Sequence, residues 1–144
     1  MPVDGPATSA GRFAAIRLPP GQDLRTALEA MRARLDAPAM AIATCVGSLD
    51  AATLRLAGRT EGTRLVGSFE IVSLTGTLGR DGPHLHAAIA DPQGRVVGGH
   101  VLPGCTVRTT AEIVAILLDD LAFARAPCPL SGYDELLVRP TGRA

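Results

Sequence analysis

A chain of 144 residues, 47% of them apolar, has the size of one domain and enough material for a sizeable core. With three Phe, one Tyr and no Trp, that core must be built from Leu, Ile, Val and Ala. Fourteen Arg and no Lys balance fourteen acidic residues, so the chain lacks the overall positive field usual in nucleic-acid binders, although folded Arg residues could still form a local patch.

Residues 1–12 hold Pro, Gly, Ser and Thr without periodic apolar anchors, and are expected to form a flexible leader. Residues 13–18 read as a short strand closed by Pro19-Pro20-Gly21. Leu24, Ala27, Leu28, Met31 and Leu35 then recur at three and four residues, the stripe of an amphipathic helix, with Asp23 at its start where negative charge is favoured. Residues 39–46 support a buried strand, ended by a Gly47-Ser48 break and followed by another extended segment around 53–56. A polar link over 57–63 leads to a β-branched strand at 65–74. Thr75-Gly76-Thr77 and Gly79-Arg80-Asp81-Gly82-Pro83 are expected to break that strand before a hairpin.

Residues 109–118 are ambiguous. Thr109 and Glu112 have the capping-box spacing of a helix start, while the density of Ile, Val and Leu suits a buried strand. Pro127-Cys128-Pro129 reads as a rigid connector, 133–138 as a closing strand and 139–144 as a flexible tail. The many short extended segments predict one α+β domain over 13–138, with a largely antiparallel β-sheet flanked by helices. No apolar run reaches the roughly 18 residues of a membrane span, and Met1-Pro2-Val3-Asp4-Gly5 lacks a secretory pattern. Cys45, Cys105 and Cys128 form neither a disulfide framework nor a zinc knuckle, so reduced thiols in a cytoplasmic protein are expected.

All three histidines fall in the hairpin, as His84-Leu85-His86 and Gly98-Gly99-His100. His84 and His86 share a strand face opposite Leu85 and Ala87. Asp91-Pro92-Gln93-Gly94 favours a type I turn with Gly94 in the left-handed region, giving a three-residue loop with a bulge. Asp91 then pairs with Arg95, and the count places His86 opposite His100, with all three rings on one face. A two-residue loop would send His100 to the other side.

Three imidazoles on one face offer neutral nitrogen ligands to Zn²⁺ or another divalent transition metal and leave a fourth position open. A hydrogen-bonding or anion pocket, and ordinary surface residues, stand beside that reading. Glu70 and Glu112 are candidate carboxylate partners; Arg64 and Arg108 are candidate contacts for a small anionic ligand. No phosphate loop, HExxH or dinucleotide fingerprint is present.

The residues from Phe69-Glu70-Ile71 to Thr75-Gly76-Thr77, then Gly82-Pro83-His84-Leu85-His86, Asp91-Pro92-Gln93-Gly94 and Gly98-Gly99-His100, resemble the PPC (DUF296) family, a domain shared by plants and prokaryotes. Arg17-Leu18, Asp23-Leu24, Gly104, Thr110-Ala111-Glu112 and Tyr133-Asp134-Glu135-Leu136 extend the likeness. It implies a homotrimer, a strand over 111–118, and a metal site at His84, His86 and His100. Plant relatives join this domain to an AT-hook, whose Arg-Gly-Arg-Pro core this sequence does not reproduce. The resemblance implies a trimeric protein binding a divalent metal or small ligand through its histidines; a DNA-associated regulator and a metal-dependent hydrolase are the alternatives.

Overall fold

The computed structural model describes residues 5–142. Nine elements follow one another: β1 (Gly11–Leu18), α1 (Leu24–Arg34), β2 (Met40–Arg55), β3 (Thr63–Gly79), β4 (Gly82–Ala90), β5 (Val96–Val101), β6 (Thr106–Leu118), β7 (Leu121–Pro127) and β8 (Asp134–Pro140). Six strands form one sheet in the order β1-β6-β2-β3-β4-β5, and β7 pairs with β8 in a separate ribbon. All pairings are antiparallel. The end of β2 also reaches β5, so β2, β3, β4 and β5 form a closed circuit of pairings. The α+β class and antiparallel sheet match expectation. Among the described residues a single helix flanks that sheet, where more than one was expected.

Helix α1 starts on Asp23, whose Oδ1 accepts from the Thr26 N–H at 2.9 Å. The other oxygen accepts from the N–H groups of Gly104 and Cys105, at 2.7 and 3.0 Å, which ties the helix start to the approach of β6. Burial works against the Asp23 charge, but these donors prevail and hold its carboxyl below the ordinary value. The helix buries Leu24, Leu28 and Met31 in a core with Leu18, Leu54, Leu78, Leu85, Ile89 and Val101. No helix among the described residues is long and apolar enough to cross a membrane.

Several expected boundaries move. Gly47-Ser48 does not end a strand: β2 runs through it, with irregular register against β6. A Cβ at Gly47 would collide with the Thr110 carbonyl, so this glycine permits close strand approach where a break was expected. Thr75-Gly76-Thr77 likewise stays inside β3, paired with His86, Leu85 and His84 in that order. Thr109 and Glu112 lie in β6, so the capping-box spacing starts no helix; Val107, Ala111, Ile113, Ala115 and Leu117 are buried with the alternation of a strand.

Strand β7 has no counterpart in the sequence reading; its Leu121 and Phe123 form a second small core with Ala39. Gly11 and Arg12, expected in the leader, belong to β1, and the Ala10 N–H donates to Asp120 Oδ2 at 2.7 Å. Arg139 and Pro140, expected in the tail, belong to β8. Residues 1–4 of the expected leader and 143–144 of the expected tail lie outside the described residues.

Candidate metal centre

The β4–β5 connection has the geometry its sequence predicts. The Gly94 N–H donates to the Asp91 carbonyl at 2.8 Å, the Asp91 N–H donates to the Arg95 carbonyl at 2.9 Å, and Gly94 has φ 76°. Asp91 Oδ1 accepts from the N–H groups of Gln93 and Arg95, both at 2.9 Å, bracing the loop from inside. His86 then stands opposite His100, Ala87 opposite Gly99 and Ile89 opposite Val97. On their other edges, Leu85 of β4 aligns with Gly76 of β3 and Val101 of β5 with Leu54 of β2.

Both glycines flanking this arrangement have a steric task. A Cβ on Gly76 would collide with the His84 carbonyl, and one on Gly99 would sit 2.6 Å from the Arg55 carbonyl oxygen. Gly99 therefore lets β5 lie against β2, where Arg55 is in register with His100. Paired residues of an antiparallel ladder point to the same side, so this register brings Arg55 to the histidine face.

The three rings meet. Their centroids are 5.0 Å apart for His84 and His86, 5.2 Å for His84 and His100, and 5.7 Å for His86 and His100. One ring nitrogen from each lies within 4.8 Å of the other two, and the Nε2 atoms of His84 and His86 are 3.2 Å apart. A tetrahedral ion with metal–nitrogen bonds near 2.0–2.1 Å separates its ligand atoms by about 3.3 Å. The His84–His86 pair already has that spacing, with the His100 ligand atom within 4.8 Å of both. His100 Nδ1 is buried with no hydrogen-bond partner among the described residues, an orphaned polar atom of the kind that calls for an explanation. The donor set thus fits a divalent transition metal.

Burial and neighbouring charges disfavour protonation of His84 and His100. Burial lowers the His100 pKa to about 4, reinforced by Arg55, by the other two histidines and by Arg25. Burial also lowers that of His84, helped by Arg125 and His86 and opposed by Glu135. A neutral imidazole is the form that ligates metal.

The expected auxiliary residues lie elsewhere. Glu70 pairs with Ser48 and Ala90, and Glu112 with Arg17 and Val46, both far along the ladders from the histidines. Arg64 lies beside Gly104, and Arg108 is exposed on β6. Among the described residues the charges acting on the cluster are Arg25, Arg55, Arg125 and Glu135. Arg125 donates through its guanidinium to Thr77 Oγ1 at 3.4 Å and through its N–H to Asp81 Oδ2 at 2.9 Å, which holds the β7–β8 ribbon beside His84. Arg55 could have been found only from the β2–β5 pairing, and Arg125 and Glu135 only from the packing of a ribbon whose first strand has little sequence signal.

The family profile of the Plants and Prokaryotes Conserved (PCC) domain matches residues 5–119. The crystal structure of a hypothetical protein from Salmonella enterica is 48% identical, with a TM-score of 0.92 over 94% of this chain and 98% of that one. A metal-containing protein from Archaeoglobus fulgidus is 23% identical, with a TM-score of 0.77 over 94% of this chain and 99% of that one, a likeness of fold. A bifunctional GlmU protein from a Synechococcus strain is 45% identical over 137 residues, which is 95% of this chain; the chain spans 22% of that relative's length.

Proposed function

The chain belongs to the Plants and Prokaryotes Conserved domain family, and we propose that it is a homotrimeric metal-binding module whose centre is His84, His86 and His100, with Zn²⁺ as the ion that suits the donors best. The observation that carries this reading is the convergence of three ring nitrogens within 4.8 Å on one sheet face. Three neutral nitrogens without a carboxylate match the ligand preference of zinc and its late first-row neighbours. A bound ion supplies Lewis acidity at its open position.

The chain's own residues do the rest. The paired strands fix the rings, Arg55 and burial keep His100 unprotonated, and the cluster opens onto two clefts that meet at Arg55, His100 and Tyr133. A sealed cluster would suit a purely structural ion; an accessible one suits the capture of a ligand. Trimer formation draws support from the exposed large apolar side chains of Phe13, Val46, Val66 and Val72.

Metal analysis of protein purified without chelators tests the reading. Native protein should carry a divalent transition metal in proportion to the chain, and His86→Ala should lose most of it while remaining folded by circular dichroism. Equal metal content in the two, or none in either after incubation with Zn²⁺, would overturn the centre. Light scattering on the same samples should return the mass of three chains; a monomer mass would remove the trimer.

A further inference from the structure

The two clefts beside the histidines differ in charge. One, of about 400 Å³, is lined by Asp81, Asp134 and Glu135 with Arg125 and the shared Arg55. The other, of about 700 Å³, is lined by Arg55, Arg59, Thr60, His86, His100 and Tyr133, with Gly98 and Gly99 among its remaining lining residues and, among the described residues, no carboxylate. In a chain whose formal charge is zero, this is a local excess of positive charge. The fold maintains it: β2–β5 pairing sets Arg55 beside His100, and the Arg59 N–H donates to the Leu56 carbonyl at 3.0 Å, closing the turn that holds Arg59.

Neither guanidinium is used internally. Ion pairs among the described residues join Arg12 to Asp119, Arg80 to Asp36 and Arg95 to Asp91, and the guanidinium groups of Arg55 and Arg59 make no hydrogen bond there. A guanidinium offers a planar fork of donors that fits the oxygens of a carboxylate or phosphate. Gly98 lets β5 lie close against β4 at the cleft's edge, since a Cβ there would lie 2.9 Å from the Ala87 carbonyl oxygen.

We propose that this cleft binds a small oxyanion, a carboxylate or phosphate group, between the guanidinium groups of Arg55 and Arg59 and the open side of the His86–His100 pair. The site rests on the metal reading above and deepens it. Three imidazoles bring no charge of their own to a divalent ion, so an anion held in this cleft would offset that charge on the His86–His100 side. The neighbouring cleft, with three carboxylates, would repel the same ligand.

Cobalt(II)-loaded protein, titrated at constant ionic strength with inorganic phosphate and separately with acetate, tests this through the visible bands of the ion. A saturable band change is expected, weakened about tenfold or more in Arg55→Gln and in Arg59→Gln, the loss typical of a hydrogen bond to a charged group. Cobalt content and melting temperature should stay as in the native protein in Arg59→Gln; for Arg55→Gln, whose charge bears on His100, affinity is compared at full cobalt loading. Tighter phosphate binding would assign a phosphorylated ligand, and tighter acetate binding a carboxylate. Native-like affinity in both variants, or no band change with either anion, would overturn the site. If cobalt is not retained, the metal reading fails, and the same titrations of metal-free protein followed by histidine ring NMR shifts read the cleft alone. Shifts lost in the Arg variants would sustain the anion site, and their absence from native protein would end it.

Discussion

Leu85 and His86 are consecutive in β4, yet they lie on opposite faces of the sheet. Leu85 is 1% exposed in the main core, level with Leu54, Ile89 and Val101. His86 is exposed, beside a cleft and within reach of two other imidazoles. The alternation of a strand is all that separates them. One face holds the chain together and the other gathers donor atoms, so the two tasks can be altered independently except where backbones touch. Gly76 and Gly99 are two such places, each pressed against the backbone of a neighbouring strand beside a histidine or its partner Arg55.

Truncating the inner face should have the largest effect. Leu85→Ala is expected to cost about 2–5 kcal/mol, the transfer and cavity cost of a buried Leu, measured by urea denaturation of metal-stripped protein. The fraction that remains folded should still bind metal, because no donor has moved. His86→Ala should show the opposite profile, with metal lost and the metal-free stability changed by well under the Leu85 effect. If the two substitutions gave the same profile, the separation of faces would be wrong.

Gly99→Ala comes next and should breach the separation. The new Cβ meets the Arg55 carbonyl, so β2 and β5 must part or β5 must twist. Overpacking of this kind costs about 1–3 kcal/mol. Because His100 is the next residue, metal content should fall together with the melting temperature. A Gly99→Ala protein that kept both would show that close strand approach is not what holds His100 and Arg55 together.

The legibility of these features in the sequence follows their range. The hairpin register is local, since Asp91, Pro92 and Gly94 each favour one backbone conformation, and the alignment of His86 with His100 follows by counting. Helix α1 is similarly plain from its apolar stripe and Asp23. Glycine misled where a distant partner decided its meaning: Gly47 and Gly76 look like breaks until the carbonyls of Thr110 and His84 are seen beside them. Likewise, the spacing of Thr109 and Glu112 satisfies a helix cap, but β6 lies between β1 and β2, and pairing on both edges overrides a local preference. Arg55, twenty-nine residues from the nearest histidine in sequence, enters the site only through long-range pairing.

The smallest expected effect concerns protons, and its sign is fixed by the outer face. In the folded chain burial and Arg55 lower the His100 pKa to about 4, and that of His84 is lowered as well, from an ordinary value of 6.5. Above 6.5 the folded and unfolded forms are both neutral, and these groups leave stability unchanged. Between 6.5 and about 4 the unfolded chain binds protons that folded His100 refuses, so stability falls with falling pH and the loss is complete once folded His100 protonates. Asp23 and Asp91, whose carboxyls are held below 3.8, contribute their own loss mainly at and below that value, so the two windows are distinct. The melting temperature of metal-free protein should therefore decline from pH 7 to pH 4.5, and His100→Gln should decline less. Parallel curves would mean that His100 gains no proton on unfolding, and the outer face would lose its claim to being an environment built to keep imidazoles neutral. Metal should steepen the native curve, because an ion competes with protons for the same nitrogens, and leave the His100→Gln curve nearly where it was.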